Sequence, residues 1–359
     1  MKTAQKTSFQ VASIPDPVLT LGDYAHSVLS KQYRSIFKYE KKVLADHDPE
    51  DLHHMRVGTR KLRTALQVFG VAVQMPKKAN PKRVSEIAKI LGNLRDLDVQ
   101  IAALEETYLP LVDGVEEDLL HEALQVLYKQ RRQAFAVVER TLARSRYQDL
   151  KTSYQDWLEN PKYTALATLP IIPLLPDLLS PLLADLLLHP GWLIPANASS
   201  AVGGEILHDL RKACKHVRYQ AEFFVPFYSQ PFQDWIREIK LLQDNLGKLQ
   251  DSYVLQDLLK EYLPKRAEMP ALQATIQQTR SEALADWDTV RQQYLDPAFR
   301  SYLHQMLLEP VLPVVEEPAV EPIVEPVVEL KASSASTRKR SAAKKVTKTT
   351  TKTDVPPKP

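Results

Sequence analysis

An all-α protein is expected from three features of this 359-residue chain. Apolar residues recur at helical spacing through long segments rich in Leu, Ala, Gln, Glu, Lys and Arg, which are good helix formers. Only nine glycines occur, and β-branched runs are scarce before the C-terminal tail. Prolines punctuate the periodic stretches: Pro49, Pro81, Pro110 and Pro161 in the first half, Pro231, Pro264 and Pro297 in the second. A residue without an N–H marks helix starts and stops.

Residues 1–19 read as an N-terminal extension; MKTAQKTSFQVASIPDP has no continuous apolar segment, so no secretory signal and a cytosolic location are expected. Residues 20–160 form a first helical half, with helices near 21–45, 50–70, 82–107 and 115–144, closed by RSRYQDL. Residues 161–308 form a second, with helices near 181–188, 201–226, 231–262 and 270–294 and AFRSYLHQML at the end. Each half is a set of antiparallel helical hairpins. The most apolar stretch, Leu166 to Ile194, is read as the joint between them rather than a membrane span. Five prolines with Asp177 and Asp185 interrupt it, and a span needs about 20 mostly apolar residues free of such breaks. Residues 309–330 carry six acids and no base in a Pro/Glu/Val sequence, an extended linker. Residues 331–359 carry nine bases and one acid without apolar periodicity, a disordered cationic tail. Removing those segments, of net −6 and +8, from the total of +3 leaves residues 1–308 at +1. Any concentration of positive charge in the helical part is therefore local. The single cysteine, Cys214, allows no internal disulfide and no cysteine metal cage, and it falls on an apolar helix arc as an inert thiol.

One charge pattern is written twice. His53, Arg56, Arg60 and Arg63 in LHHMRVGTRKLRTALQVF match His208, Arg211, Lys215 and Arg218 in LHDLRKACKHVRYQAEFF. A second pair, LGNLRDLDV from Leu91 and LGKLQDSYV from Leu246, has the same 155-residue offset as the first, indicating an internal duplication. Offsets 0, 3, 7 and 10 share one helix face, so each basic stripe runs about 15 Å. That length suits an extended anion better than a single phosphate. The adjoining arc is the expected core face: Leu52, Met55, Thr59, Leu62, Leu66 and Phe69 in one copy, Leu207, Leu210, Cys214, Val217, Ala221 and Phe224 in the other.

These motifs resemble the conserved histidine α-helical domain, the CHAD family, whose halves each open with a His-x-x-Arg helix followed by further bases and later carry Leu-Gly-x-x-x-Asp. The matches are His53-x-x-Arg56 with Arg60 and Arg63, Leu91-Gly92 with Asp96, His208-x-x-Arg211 with Lys215, Arg218 and Tyr219, and Leu246-Gly247 with Asp251. The resemblance covers about residues 20–308. It implies two pseudo-twofold-related four-helix bundles around a basic central cavity that binds inorganic polyphosphate. The family often carries a triphosphate-tunnel hydrolytic domain before the helices. Only about twenty residues precede them here, with no E-x-E-x-K strand, so no enzymatic activity and no cofactor are expected.

The residue chemistry agrees, because a polymer with about one charge per phosphate calls for repeated cations at helical spacing, and arginine binds phosphate bidentately where lysine acts as a point charge. Arg56, Arg60, Arg63, Arg211, Lys215 and Arg218 are the expected ligands, with Lys61 and Lys212 at the margins. His53 and His208 are read either as helix-start residues bonded to neighbouring backbone or carboxylate, or as secondary phosphate contacts. Asp96 and Asp251 are read as buried partners that orient the arginines. Gly92 and Gly247 permit close approach. Arg95 corresponds to Gln250 in the second copy, so it has no symmetric role, while Tyr219, Lys89 and Lys240, with Lys129, Arg131 and Arg132, surround the stripes or lie on solvated faces.

Two alternatives stand beside this reading. A metal-dependent polyphosphatase would use His53 and His208 with Asp96, Asp98 and Asp251, although no metal motif is apparent. A non-specific nucleic-acid-binding protein would use the tail TRKRSAAKKVTKTTTK, although the stripes have few interleaved aromatics for base stacking. Polyphosphate and granules containing it are the expected partners, with nucleic acid through the tail and no membrane.

Overall fold

Prolines and short polar side chains set the helix starts of the chain, whose computed structural model describes residues 19–197, 201–263 and 269–311. Twelve α-helices lie among the described residues: α1 (Leu21–Phe37), α2 (Glu40–Ala45), α3 (Pro49–Phe69), α4 (Pro81–Ala102), α5 (Gly114–Ala143), α6 (Ser145–Glu159), α7 (Leu175–Leu187), α8 (Ala201–Ala221), α9 (Gln230–Tyr262), α10 (Pro270–Ala283), α11 (Trp287–Leu295) and α12 (Pro297–Leu308). No strand occurs among these residues, only two isolated bridges, so the all-α expectation holds. Thr20, Asp48 and Asn80 accept N–H bonds from Asp23, Glu50 and Arg83 at 3.1, 2.8 and 3.0 Å, capping α1, α3 and α4. Pro49, Pro81, Pro270 and Pro297 begin their helices, where the missing N–H would have had no partner.

Several helices differ from the expected ones. The segment expected over 21–45 breaks at Lys38 and Tyr39. α4 widens into a π-helical turn, Ala103–Tyr108, and α8 tightens into a 3-10 run, Glu222–Phe227, that contains Pro226. RSRYQDL opens a 15-residue helix that buries Tyr147, Leu150, Tyr154 and Trp157. The helix expected from Pro181 begins at Leu175 and holds Pro181 inside it. An interior proline costs about 3 kcal/mol, but six buried leucines on α7 offset it at about 1.5–3 kcal/mol each. The 270–294 helix divides so that Trp287 can turn inward, stack on Trp192 at 5.8 Å and donate Nε1–H to the Ile194 carbonyl at 2.8 Å.

The core arcs of α3 and α8 are buried at every expected position, from Leu52 to Phe69 and from Leu207 to Phe224. α3 packs between α1 and α4 and α8 between α7 and α9, while α3 also touches α8 and α5 touches α9. A large apolar core runs through these contacts. A second joins the far ends of α4 and α5 to α9 and α10 through Leu104, Leu120, Leu127, Leu258, Leu272 and Ile276. The stretch Ile172–Leu193 has the length and apolarity of a membrane span, with mean hydropathy 1.4. Its leucines Leu175, Leu179, Leu183 and Leu186 are buried, and α7 packs on α8 and α12. The described residues fall in one unit, Met1–Pro313. The expected linker beyond residue 311, the basic tail and the N-terminal extension up to residue 18 lie outside the described residues.

Candidate functional site

Both stripes fold as helix faces because the polar arc lies beside an apolar arc that is driven inward. Tyr219, buried on α8, is where the two helices bring their cations together. The Arg60 guanidinium carbon of α3 and that of Arg218 lie 4.0 and 4.3 Å from its ring centroid. Such stacking orients a guanidinium while leaving edge N–H groups available. Burial lowers the Arg60 pKa, and Arg56 and Arg218 add like-charge repulsion against the opposing effect of Tyr219. Lys215, half-buried, is pushed down to about 8 by burial, with Arg211 on its own helix and Arg60 and Arg56 on α3 repelling it and Asp251 on α9 opposing them. The residues predicted from two distant motifs thus act on one another.

Two arginines cross glycines of the partner helices. Arg56 passes over Gly92 of α4, where an added Cβ would meet Nε at 3.5 Å; Arg211 passes over Gly247 of α9, where it would meet Nε at 3.3 Å. Gly92→Ala is therefore expected to raise stability by about 0.5–1 kcal/mol, the helix-propensity gain, and to leave anion binding unchanged. Gly247→Ala forces Arg211 to shift and should weaken binding. Thermal unfolding and titration of both variants check this.

The protein leaves much of the arginine hydrogen-bonding capacity unmet. Nε of Arg56, Arg60, Arg63 and Arg211 is buried without a partner, an uncommon state for a charged donor. Arg56, Arg60 and Arg63 line a cleft of about 260 Å³ with Lys89, Gly92, Asn93 and Asp96. Arg218 is better satisfied, donating Nε–H to Gln243 at 3.0 Å and pairing with Glu222. Glu222 also lies 3.6 Å from Lys61, closing one end of the site. Gln243 and Glu222 were not anticipated. Glu222 stands four residues after Arg218, a helical ion-pair spacing that signals it.

Several expectations require correction. Asp96 is exposed, its side chain 66% accessible, and reaches Arg56 only at 3.6 Å, so it is not a buried partner. Asp251 is exposed as a residue, yet burial of its carboxyl raises its pKa against Arg211 and Lys215, so it remains a counter-charge to the α8 stripe. The buried carboxylate is Asp98, which takes Arg131 Nε–H at 2.7 Å, while the same guanidinium holds Asp46 at 2.6 and 2.7 Å. Arg131 is thus a structural tie and not part of a basic lining. Lys129 and Arg132 are exposed on α5, in keeping with the solvated-face reading. Lys212 is exposed and pairs with Asp209 at 2.8 Å, and Lys240 is exposed on α9. Arg95 bonds Glu50 at 2.9 Å and the Pro49 carbonyl at 3.5 Å, holding the start of α3.

His53 and His208 sit inside their helices, and Nδ1 of His208 is buried without a partner, contrary to a hydrogen-bonded helix start. Burial lowers both pKa values, aided at His53 by Arg95 and at His208 by Lys212 and Arg211, so both rings are neutral at neutral pH. Among the described residues no three His, Cys, Asp or Glu side chains form a group that could hold a metal ion. Asp98, one of the alternative's ligands, is committed to Arg131. Cys214 is fully buried and its thiol is raised to about 12, an inert core residue.

A family model of the CHAD domain matches residues 27–260. The chain belongs to the CHAD domain family. A crystal structure of the CHAD domain from the plant Ricinus communis is similar at 25% identity and TM-score 0.51, covering 82% of this chain and 94% of that one. PptA from Streptomyces chartreusis shares the fold at 13% identity and TM-score 0.53, covering 79% of this chain and 99% of that one. No curated protein matches. Membership in the CHAD family does not define an enzymatic activity.

Proposed function

We propose that this CHAD chain is a non-enzymatic protein that binds inorganic polyphosphate through the cations of α3 and α8, and that it thereby associates with polyphosphate-containing bodies in the cytosol. Arg56, Arg60, Arg63, Arg211, Lys215 and Arg218 are the phosphate ligands, and Lys89 extends them along α4. The unpaired, buried Nε groups of four of these arginines carry the reading. A protein that holds cations together with so few internal counter-charges has their stabilisation supplied by an anion. Two pseudo-twofold-related bundles around a basic cavity fit the 155-residue offset and the repeated crossing of arginine over glycine.

Calorimetric titration tests it, comparing long-chain polyphosphate with duplex DNA and ATP at physiological salt. The full chain and one ending at Pro313 are both titrated; the latter keeps the 2.8 Å bond from Val311 N–H to the Phe227 carbonyl. Tight binding to the shorter chain with preference for polyphosphate is expected. Equal or stronger binding of DNA, or binding lost with residues 314–359, would overturn the reading.

Lys215 adds a pH signature. Its amine titrates near 8 in the free protein because burial, Arg211, Arg60 and Arg56 disfavour the ammonium against Asp251. A bound polyanion favours the ammonium and raises the pKa, so binding takes up a proton and affinity falls as pH rises through 8. Each unit of that rise is about a tenfold loss of affinity at high pH. Calorimetry in buffers of differing ionisation enthalpy should detect the uptake in the native chain and not in Lys215→Arg.

A further inference from the structure

We infer that Lys215 is an acylation site, at which a small acyl phosphate held by Arg56, Arg60 and Arg211 transfers its acyl group to the lysine amine. The inference deepens the polyphosphate reading, since it rests on the same cations binding phosphate. Among the six ligand positions Lys215 is the one amine, and at the 155-residue offset it stands where the first copy has Arg60. A guanidinium stays protonated, whereas an amine can shed its proton and attack a carbonyl.

The surroundings favour that attack. Arg211 lies one helical turn before Lys215 and Arg218 one turn after, about 5–6 Å away on the same face. Arg60 is brought in from α3 by its stacking on Tyr219. Among the described residues Lys215 makes no hydrogen bond or ion pair, and its Nζ is not among the buried unpartnered atoms, so the amine keeps contact with solvent. Burial, aided by Arg211, Arg60 and Arg56, pushes it down to about 8, which leaves an appreciable neutral fraction at physiological pH. A phosphate docked on the arginines would hold the adjoining carbonyl beside a nucleophile that is already in place, turning a bimolecular step into a nearly intramolecular one.

The step balances without a further reactant. The amine nitrogen attacks the acyl carbon, the bond from that carbon to the bridging phosphate oxygen breaks, and inorganic phosphate leaves. The amine's proton passes to phosphate or water. The product is a neutral amide with one cation fewer in the site, so acylation would reduce both the affinity for polyphosphate and its salt dependence.

The test uses the full chain with acetyl phosphate, and separately with the acetyl ester of N-hydroxysuccinimide, an acyl donor without phosphate; peptide mass spectrometry follows each lysine. With acetyl phosphate, Lys215 should react about tenfold or more faster than the exposed Lys212 on the same helix, as an oriented donor requires. The ratio should fall with the ester. Long-chain polyphosphate should protect Lys215 and not Lys212, and Arg56→Ala with Arg211→Ala should bring the two rates together. Lys215 reacting no faster than Lys212, or showing the same ratio with both donors, would overturn the inference. Calorimetry on the same sample separates the two readings: a chain that binds polyphosphate without selecting Lys215 overturns acylation alone. One that does neither overturns both.

Discussion

Arg56→Ala combined with Arg211→Ala should weaken binding of long-chain polyphosphate by about two to three orders of magnitude, and each single change by about one to two. A hydrogen bond to a charged group is worth about 1.5–3 kcal/mol, so each guanidinium accounts for roughly that much. Its loss should exceed that of a peripheral lysine because Arg56 and Arg211 are held in place over Gly92 and Gly247. The double effect should fall somewhat short of the sum: both arginines repel Lys215, and removing them makes its ammonium a better ligand. The salt dependence should flatten too, by about 0.7 per lost phosphate contact on the single-strand scale. Thermal stability should hold or rise, since like charges are removed. Equal affinity in the native chain and the double variant at every salt concentration would show that these stripes do not bind the polymer.

The sequence reached some parts of this structure and missed others for physical reasons. The core arcs were legible to the residue because burial follows the 3.6-residue period, and the basic face is what remains beside them. Lys61 and Lys212 mark the limit of that reasoning. Each follows a stripe arginine or precedes the next turn by one residue, about 100° around the helix. Lys212 therefore faces solvent with Asp209, and Lys61 turns to Glu222. The carboxylates were harder. Asp96 and Asp98 stand two residues apart on α4, and which is buried depends on Arg131 of α5, 33 residues beyond Asp98. Asp46, the third member, lies in a left-handed cap at φ 50° that periodicity does not reveal. Tyr219 matched a family position, but its role as the platform for Arg60 arises only where α3 meets α8. Local pattern thus gave the cations, and tertiary packing decided which of them converge and which acids neutralise them.

The tie at Arg131 gives the largest expected loss of stability among such polar contacts. Its guanidinium joins α5 to the buried Asp98 of α4 and to Asp46 ahead of α3. Hydrogen bonds to Asp46 and Asp98 raise the Arg131 pKa against burial, while burial raises that of Asp98 against the same bond. Arg131→Met keeps the side-chain volume and leaves a carboxylate, 5% accessible, without its hydrogen-bonded partner and with only Arg95 as a nearby cation. Breaking one side of a buried pair costs about 3–5 kcal/mol, and the low end is expected here because Asp46 can rehydrate. The penalty belongs to the ionised form of Asp98. Its folded pKa is already above the unfolded value and rises further in the variant, so the deficit is full only above that raised folded pKa. It shrinks as acidification through the folded pKa protonates the group, and it is absent below the unfolded pKa. Arg131→Met with Asp98→Leu, which removes the stranded charge, should recover much of the stability. Denaturant unfolding of the single and double variants from neutral to acidic pH checks each step. Polyphosphate affinity of the folded variant should stay near that of the native chain, because Arg131 faces Asp46 and Asp98 and not the stripes. A tenfold loss of affinity without loss of stability would instead place Arg131 among the ligands.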